Sequence, residues 1–121
     1  MHKYSIEDLR TISEEFAQNV VAPFSILLSG EMGVGKTTFS KFFIERLLVK
    51  KQNVTSPTFN IIHVYETIKG PIWHIDLYRV EEGEFFGLGI IEAMQKYICL
   101  VEWPKFLMEY VNDSHCIELK L

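Results

Sequence analysis

Apolar residues recur every three to four positions at the start of the chain, at Ile6, Leu9, Ile12 and Phe16. That spacing is one face of a helix. Ser5 stands at the N-cap position with Asp8 three residues on, a variant of the capping box, so a helix is predicted over about residues 6–19. Phe24–Ser29 is an apolar run bounded by Pro23 and Gly30, which suits a buried strand. Helical spacing returns at Phe39, Phe42, Phe43 and Leu47 and carries a second helix to about Leu48. Lys50 and Lys51 follow as complements to its dipole. Thr58–Tyr65 and Ile72–Asp76 read as an antiparallel hairpin with a longer loop containing Lys69-Gly70-Pro71. Glu81–Phe86 and Ile90–Lys96 are short helical segments broken by Gly87 and Gly89. Ile98–Val101 is wholly apolar and ends in Glu102, the pattern of a central strand covered on both faces. Pro104–Tyr110 predicts a short helix with proline in its first turn, and Cys116–Leu119 a last strand. Strands and helices alternate, so the expected fold class is α/β, a mixed sheet with helices on both faces.

Length and composition narrow this picture without changing it. The 121 residues suit a single domain, 1–121, and 48% hydrophobic with 23% charged residues is an ordinary globular balance. No apolar run approaches the ~18–20 residues that span a membrane, and the uncharged stretch Asn19–Gly30 is short and interrupted by Pro23. Glu7, Asp8, Glu14 and Glu15 occupy the place of a signal-peptide core, which predicts a cytoplasmic protein. Cys99 and Cys116 form no C-x-x-C pair and are expected to be reduced, buried packing residues. A formal charge of −4 argues against an autonomous nucleic-acid binder, though not against a partner that holds RNA.

The chemistry begins at Gly30-Glu31-Met32-Gly33-Val34-Gly35-Lys36-Thr37, which satisfies G-x-x-x-x-G-K-[ST] between an apolar strand and an amphipathic helix. Glycines allow successive backbone N–H groups to aim at one anion, and the helix N-terminus adds its positive end. Lys36 reaches the β- and γ-phosphates, and the Thr37 hydroxyl is a Mg²⁺ ligand. Glu31, Met32 and Val34 contribute through backbone. Such a site also needs a carboxylate to place Mg²⁺ or the attacking water. Asp76 and Glu102 both end candidate strands, and Glu102 is favoured because Ile98–Val101 is unbroken. Asp76 ends the mixed segment Trp73-His74-Ile75-Asp76, in which His74 reads as a hydrogen-bonded structural histidine. The four histidines show no zinc spacing. Thr55-Ser56-Pro57-Thr58 is either an ordinary loop or a switch segment whose hydroxyls sense the nucleotide.

The GTPase signatures Asn-Lys-x-Asp and Asp-x-x-Gly are missing, and the three arginines, Arg10, Arg46 and Arg79, are few for a small-molecule kinase. Adenine nucleotide hydrolysis or switching is the favoured chemistry. The loop from Gly30 to Phe39, Ser56-Pro57-Thr58-Phe59, His74-Ile75-Asp76-Leu77-Tyr78-Arg79, Leu88-Gly89 and Val101-Glu102-Trp103-Pro104 together resemble the TsaE (YjeE) family in order and approximate spacing. The resemblance implies a P-loop NTPase fold and a Mg²⁺-dependent ATPase required for the tRNA modification threonylcarbamoyladenosine. It implies action with TsaD and TsaB, contact with tRNA only through them, and no membrane. Carried over by motif, Thr37, Glu102 and Asp76 hold Mg²⁺, Thr38 joins the nucleotide-binding loop, and Lys36, Glu102 and Asp76 form the catalytic set. Thr55, Ser56, Pro57 and Thr58 become a nucleotide-sensing segment, and Trp103 faces nucleotide or partner, with core packing as its alternative. Arg79 is either a charge stabiliser or a paired structural arginine, and Ile6 touches adenine through its backbone. Met32 and Val34 stand where Leu and Ala are usual, and the chain stops at Leu121, where members commonly continue. The other readings are an ATP-dependent docking switch that does not hydrolyse and, more weakly, a small-molecule kinase.

Overall fold

A computed structural model of the chain describes residues 5–30, 35–110 and 115–121. Helix α1, Ile6–Asn19, opens with the predicted capping box: Ser5 accepts from the Asp8 N–H, and Asp8 accepts from the Ser5 N–H. Two of the orphan donors that begin any helix are thereby satisfied. Strand β1, Phe24–Ser29, leads to helix α2, Gly35–Leu47. A hairpin of β2, Ile62–Thr67, and β3, Gly70–Asp76, comes next. Two short helices, α3 (Glu82–Phe85) and α4 (Ile90–Met94), flank a 3-10 turn at Phe86–Leu88. Gly89 joins that turn to α4 at φ 75°, a backbone region that glycine enters without a Cβ penalty. Strand β4, Ile98–Glu102, a 3-10 turn at Lys105–Glu109 and β5, Cys116–Lys120, complete the chain.

The five strands form one mixed sheet in the order β2-β3-β4-β1-β5. β3, β4, β1 and β5 run parallel, and only the β2–β3 pair is antiparallel. All five residues of β4 are buried, as its unbroken apolar run predicted. One core lies between the sheet and the α1–α2 pair, with Ala17, Phe39, Phe43 and Ile44 against Ile26, Leu28, Ile72, Ile98 and Leu100. The other lies beneath α3 and α4, with Phe85, Ile90 and Ala93 against Leu27, Ile75, Cys99 and Val101. Each fully buried Phe, Leu or Ile contributes roughly 1.5–3 kcal/mol from the surface it removes from water. Helices on both faces of a mixed sheet are what the sequence predicts.

The hairpin differs from its expectation at both ends. Thr58–Asn60 turns off the sheet edge, and Ile61 sits at φ 69° before pairing begins at Ile62↔Ile75. The Thr58 hydroxyl is occupied by Asp76 and Ser56, which draws that segment away from the ladder. At the other end the loop is short, because Thr67 pairs with Gly70 and leaves only Ile68 and Lys69 between. The Thr67 hydroxyl donates to the Gly70 carbonyl at 2.7 Å and accepts from the Lys69 N–H at 3.0 Å, closing the turn. The Lys69 ammonium reaches across to the carbonyls of Ala17, Gln18 and Val20 at 2.6, 2.9 and 2.6 Å. It thereby caps the C-terminal end of α1, where orphan carbonyls and the negative dipole end favour a cation. Burial among these groups lowers the Lys69 pKa from its ordinary value.

The short helix expected after Pro104 is present as a 3-10 turn over Lys105–Glu109. Cys99 is buried as expected, but Cys116 on the edge strand β5 is only half-buried. Desolvation pushes the Cys99 thiol up to about 12, so it stays protonated and inert. No helix among the described residues is long and apolar enough to cross a membrane.

Candidate functional site

Alternation along β3 and β4 sets the site. Side chains two apart share a face, so His74 and Asp76 lie on the side of Ile72, and Glu102 lies on the side of Ile98 and Leu100. That is the face covered by α2. The register pairs Asp76 with Glu102, which puts two carboxylates at the C-terminal ends of adjacent parallel strands. Both are buried, 4% and 2% exposed, as is Lys36 at 3%.

The first turn of α2 completes the arrangement. It contains no acidic residue, so nothing within it offsets the positive end of the helix dipole. The Thr37 hydroxyl donates to Glu102 Oε1 at 3.0 Å, and His74 Nε2 meets Glu102 Oε2 at 2.6 Å. Asp76 is held in the same two-sided way. Its Oδ2 accepts from the Thr58 hydroxyl at 3.1 Å, and its Oδ1 from the Tyr78 N–H at 2.9 Å. Ser56 and Thr58 share a hydrogen bond of 2.7 Å. Lys36 Nζ donates to the Gly30 carbonyl at 3.3 Å and lies 4.2 Å above the Trp103 ring centroid. Gly30 itself is at φ 128°, and a Cβ there would strike the Leu121 carbonyl, so only glycine fits.

These groups surround an open cavity of about 400 Å³. Lys36, Thr37, Ser56, Thr58, Asp76 and Glu102 line it, and Tyr78, Arg79 and Trp103 complete its wall. Trp103 is held at φ 58° by its N–H on the Leu28 carbonyl at 3.1 Å. Its ring meets Tyr78 edge to face, with centroids 4.9 Å apart. Arg79 lies 5.1 Å over the ring of Phe59, which is 85% exposed. Lys105 donates to the carbonyls of Tyr78 and Val80, tying this wall to the segment after Pro104.

The structure thus brings Lys36, Thr37, Asp76, Glu102, Ser56, Thr58 and Trp103 together. Trp103 belongs to the cavity wall rather than to either core. Thr38 and Ile6 are not brought in: Thr38 does not line the cavity, and Ile6 is 61% exposed in the first turn of α1. Thr55 and Pro57 belong to the neighbouring loop but not to the lining; the Thr55 N–H points to the Tyr65 hydroxyl and Pro57 is buried. Glu31, Met32, Gly33 and Val34 lie outside the described residues. His74 is hydrogen-bonded and fully buried, as expected, yet its partner is Glu102 itself. Tyr78 is the wall residue to which sequence reasoning assigned no role. Its place just beyond the C-terminal end of β3, where open α/β sheets put their ligands, is the signal that could have found it.

A phosphate-loop motif entering at the carboxyl edge of parallel strands, opposite two strand-end acids, defines an α/β domain of P-loop fold. The family model of the threonylcarbamoyl adenosine biosynthesis protein TsaE matches residues 4–121. The chain belongs to the TsaE family and so to the proteins of tRNA threonylcarbamoyladenosine biosynthesis. It is 36% identical to the TsaE protein of Rickettsia prowazekii over 97% of this chain and 81% of that one. It is 46% identical to that of Aquifex aeolicus over 84% of this chain and 73% of that one. The crystal structure of Bacillus subtilis YdiB superimposes with a TM-score of 0.67 at 30% identity, covering 98% of this chain and 73% of the other.

Proposed function

We propose that the protein is a Mg²⁺-dependent ATPase of threonylcarbamoyladenosine synthesis whose ATP cycle drives or resets a TsaB–TsaD assembly in the cytoplasm. One observation carries the reading: the 3.0 Å contact between the Thr37 hydroxyl and Glu102 Oε1, which joins the motif's metal-ligand position to a strand-end carboxylate across the cavity. The Thr37 hydroxyl and the carboxylates of Glu102 and Asp76 are the hard oxygen donors that Mg²⁺ takes. Among the described residues no cluster of three acidic, histidine or cysteine side chains stands ready to hold an ion alone. A Mg²⁺ ion held there would complete its shell with water and phosphate oxygens. Bound there, Mg²⁺ would neutralise charge on the phosphate oxygens.

Lys36 supplies a buried cation for the β- and γ-phosphates from beside the Trp103 ring. Glu102 acts with Thr37, and Asp76 links the site to the 55–58 loop through Thr58. Arg79 is the only arginine at the cavity among the described residues; Arg10 packs over Phe42 and Arg46 lies in the last turn of α2. A kinase, which gathers several arginines on the transferred group, is correspondingly disfavoured. The Thr58–Asp76 contact supports a second reading, in which ATP orders that loop for docking without hydrolysis.

Release of inorganic phosphate from ATP, with and without TsaB and TsaD, separates the two. An ATPase shows partner-stimulated release that Glu102→Ala removes while nucleotide binding persists. No release with both partners present would leave the switch, and normal release by Glu102→Ala would overturn the assignment of Glu102.

A further inference from the structure

We infer that His74 is a positioning residue for Glu102, pinning one carboxylate oxygen from behind so that the other is presented to Thr37 and the cavity. This rests on the reading of the cavity as a magnesium–nucleotide site. The two strand-end acids are held by different means. Asp76 Oδ1 is fixed by a backbone donor, the Tyr78 N–H, and its Oδ2 faces the Thr58 hydroxyl. Glu102 Oε2 has a side-chain donor instead, His74 Nε2 at 2.6 Å, while Oε1 faces Thr37. In both acids the hydroxyl-bound oxygen is the one on the side of the cavity-lining residues Thr37 and Thr58. His74 does not line the cavity; it stands behind Glu102, fully buried.

Packing alone does not account for an imidazole in this position. Nδ1 of His74 is buried and has no hydrogen-bond partner among the described residues, an arrangement that is unfavourable and that an apolar side chain would not incur. Of its neighbours on that face Ile72 and Leu100 are apolar, and neither His63, its pair on β2, nor Asp76, the next residue of β3 on that side, bonds Nδ1. The useful contact of the ring is Nε2. A carboxylate accepts hydrogen bonds and does not donate, so the contact places a hydrogen on Nε2 and fixes the rotamer of Glu102. Hydrogen bonds of this kind to a ligating carboxylate set its orientation and the affinity of the metal it holds.

The test compares two amides of different reach. In His74→Gln the side-chain N–H₂ extends to about the position of Nε2, whereas in His74→Asn the same group falls one methylene short. Calorimetric titration of ADP in excess Mg²⁺ and in EDTA gives, for each variant, the factor by which magnesium tightens binding. We expect His74→Asn to lose roughly tenfold or more of that factor, with the loss in the magnesium titration. His74→Gln should keep most of it. In a Glu102→Ala background, His74→Asn should cost nothing further. Retention of the full factor by His74→Asn overturns the inference, as does an equal loss in His74→Gln or additive losses in the double variant. Should His74→Asn not fold, His74→Gln decides alone: retention supports positioning and loss overturns it. A wild-type chain that binds ADP no better with Mg²⁺ than with EDTA would instead sink the proposed function, and this inference with it. A wild-type gain that survives in His74→Asn sinks only the role of His74.

Discussion

On one face of the sheet, β3 and β4 present Ile72, His74 and Asp76 beside Ile98, Leu100 and Glu102; on the other they present Ile75, Cys99 and Val101. The same two strands therefore build unlike environments from alternate residues. On these two strands the face beneath α3 and α4 is apolar and satisfies itself by packing. The face beneath α2 begins the same way and then, toward the carboxyl ends of the strands, buries a lysine, two acids and a histidine. Buried charge costs stability unless it is paired and hydrogen-bonded. The hydroxyls of Thr37 and Thr58, the imidazole and the Tyr78 N–H provide that pairing. One face contributes stability, and the other spends some of it on a site.

The contrast can be broken from either side. Phe85→Ala, in the apolar core beneath α3 and α4, should lower unfolding free energy by about 3–5 kcal/mol while leaving ADP affinity of the folded fraction unchanged. Urea unfolding and calorimetry at low temperature measure the two quantities. Lys36→Ala should do the reverse. Losing a charge-assisted phosphate contact of about 2–3 kcal/mol weakens ADP binding on the order of 100-fold, with no fall in the thermal midpoint. A thermal midpoint well below wild type would show that Lys36 supports the fold. A smaller effect sharpens the comparison at the opposite end of the molecule. Lys69→Ala leaves the last carbonyls of α1 to water and should cost about 1 kcal/mol in urea unfolding, with nucleotide affinity intact. The smallest effect is kinetic. In the native protein at pH 8 an alkylating reagent should modify half-buried Cys116 ahead of Cys99, whose thiol is held protonated by its burial. Mass spectrometry of the modified peptides reads the order, and faster labelling of Cys99 would show that the core under α4 opens readily.

Much of this contrast is legible in the sequence because both periods are local. The unbroken run Ile98–Val101 announces a strand buried on both faces, and its terminal acid announces where chemistry starts. The mixed segment Trp73–Asp76 looks ambiguous in isolation because its alternation serves two environments, one apolar and one polar. What spacing does not disclose is the joining of distant residues. His74 and Glu102 are 28 positions apart and meet only because β3 and β4 pair in parallel at that register. Likewise Thr58 reads as strand by its β-branched character, but its hydroxyl bonds to Asp76 and the chain turns at Ile61 before the ladder begins. The two-residue hairpin loop was hidden for a similar reason. Its closure depends on the Thr67 hydroxyl rather than on a glycine pair within the loop.

The register that sets Asp76 directly beside Glu102 is a pairing that sheets ordinarily avoid, since like charges on facing positions repel. The carboxyl edge of β3 and β4 is therefore the part of the sheet with most to gain from a visiting cation. Heat resistance then becomes a gauge of occupancy. On the proposed function, once magnesium and nucleotide exceed their dissociation constants, each further tenfold excess of ligand adds about 1.4 kcal/mol to the folded state. The melting temperature of the protein should accordingly climb with nucleotide concentration long after binding has saturated.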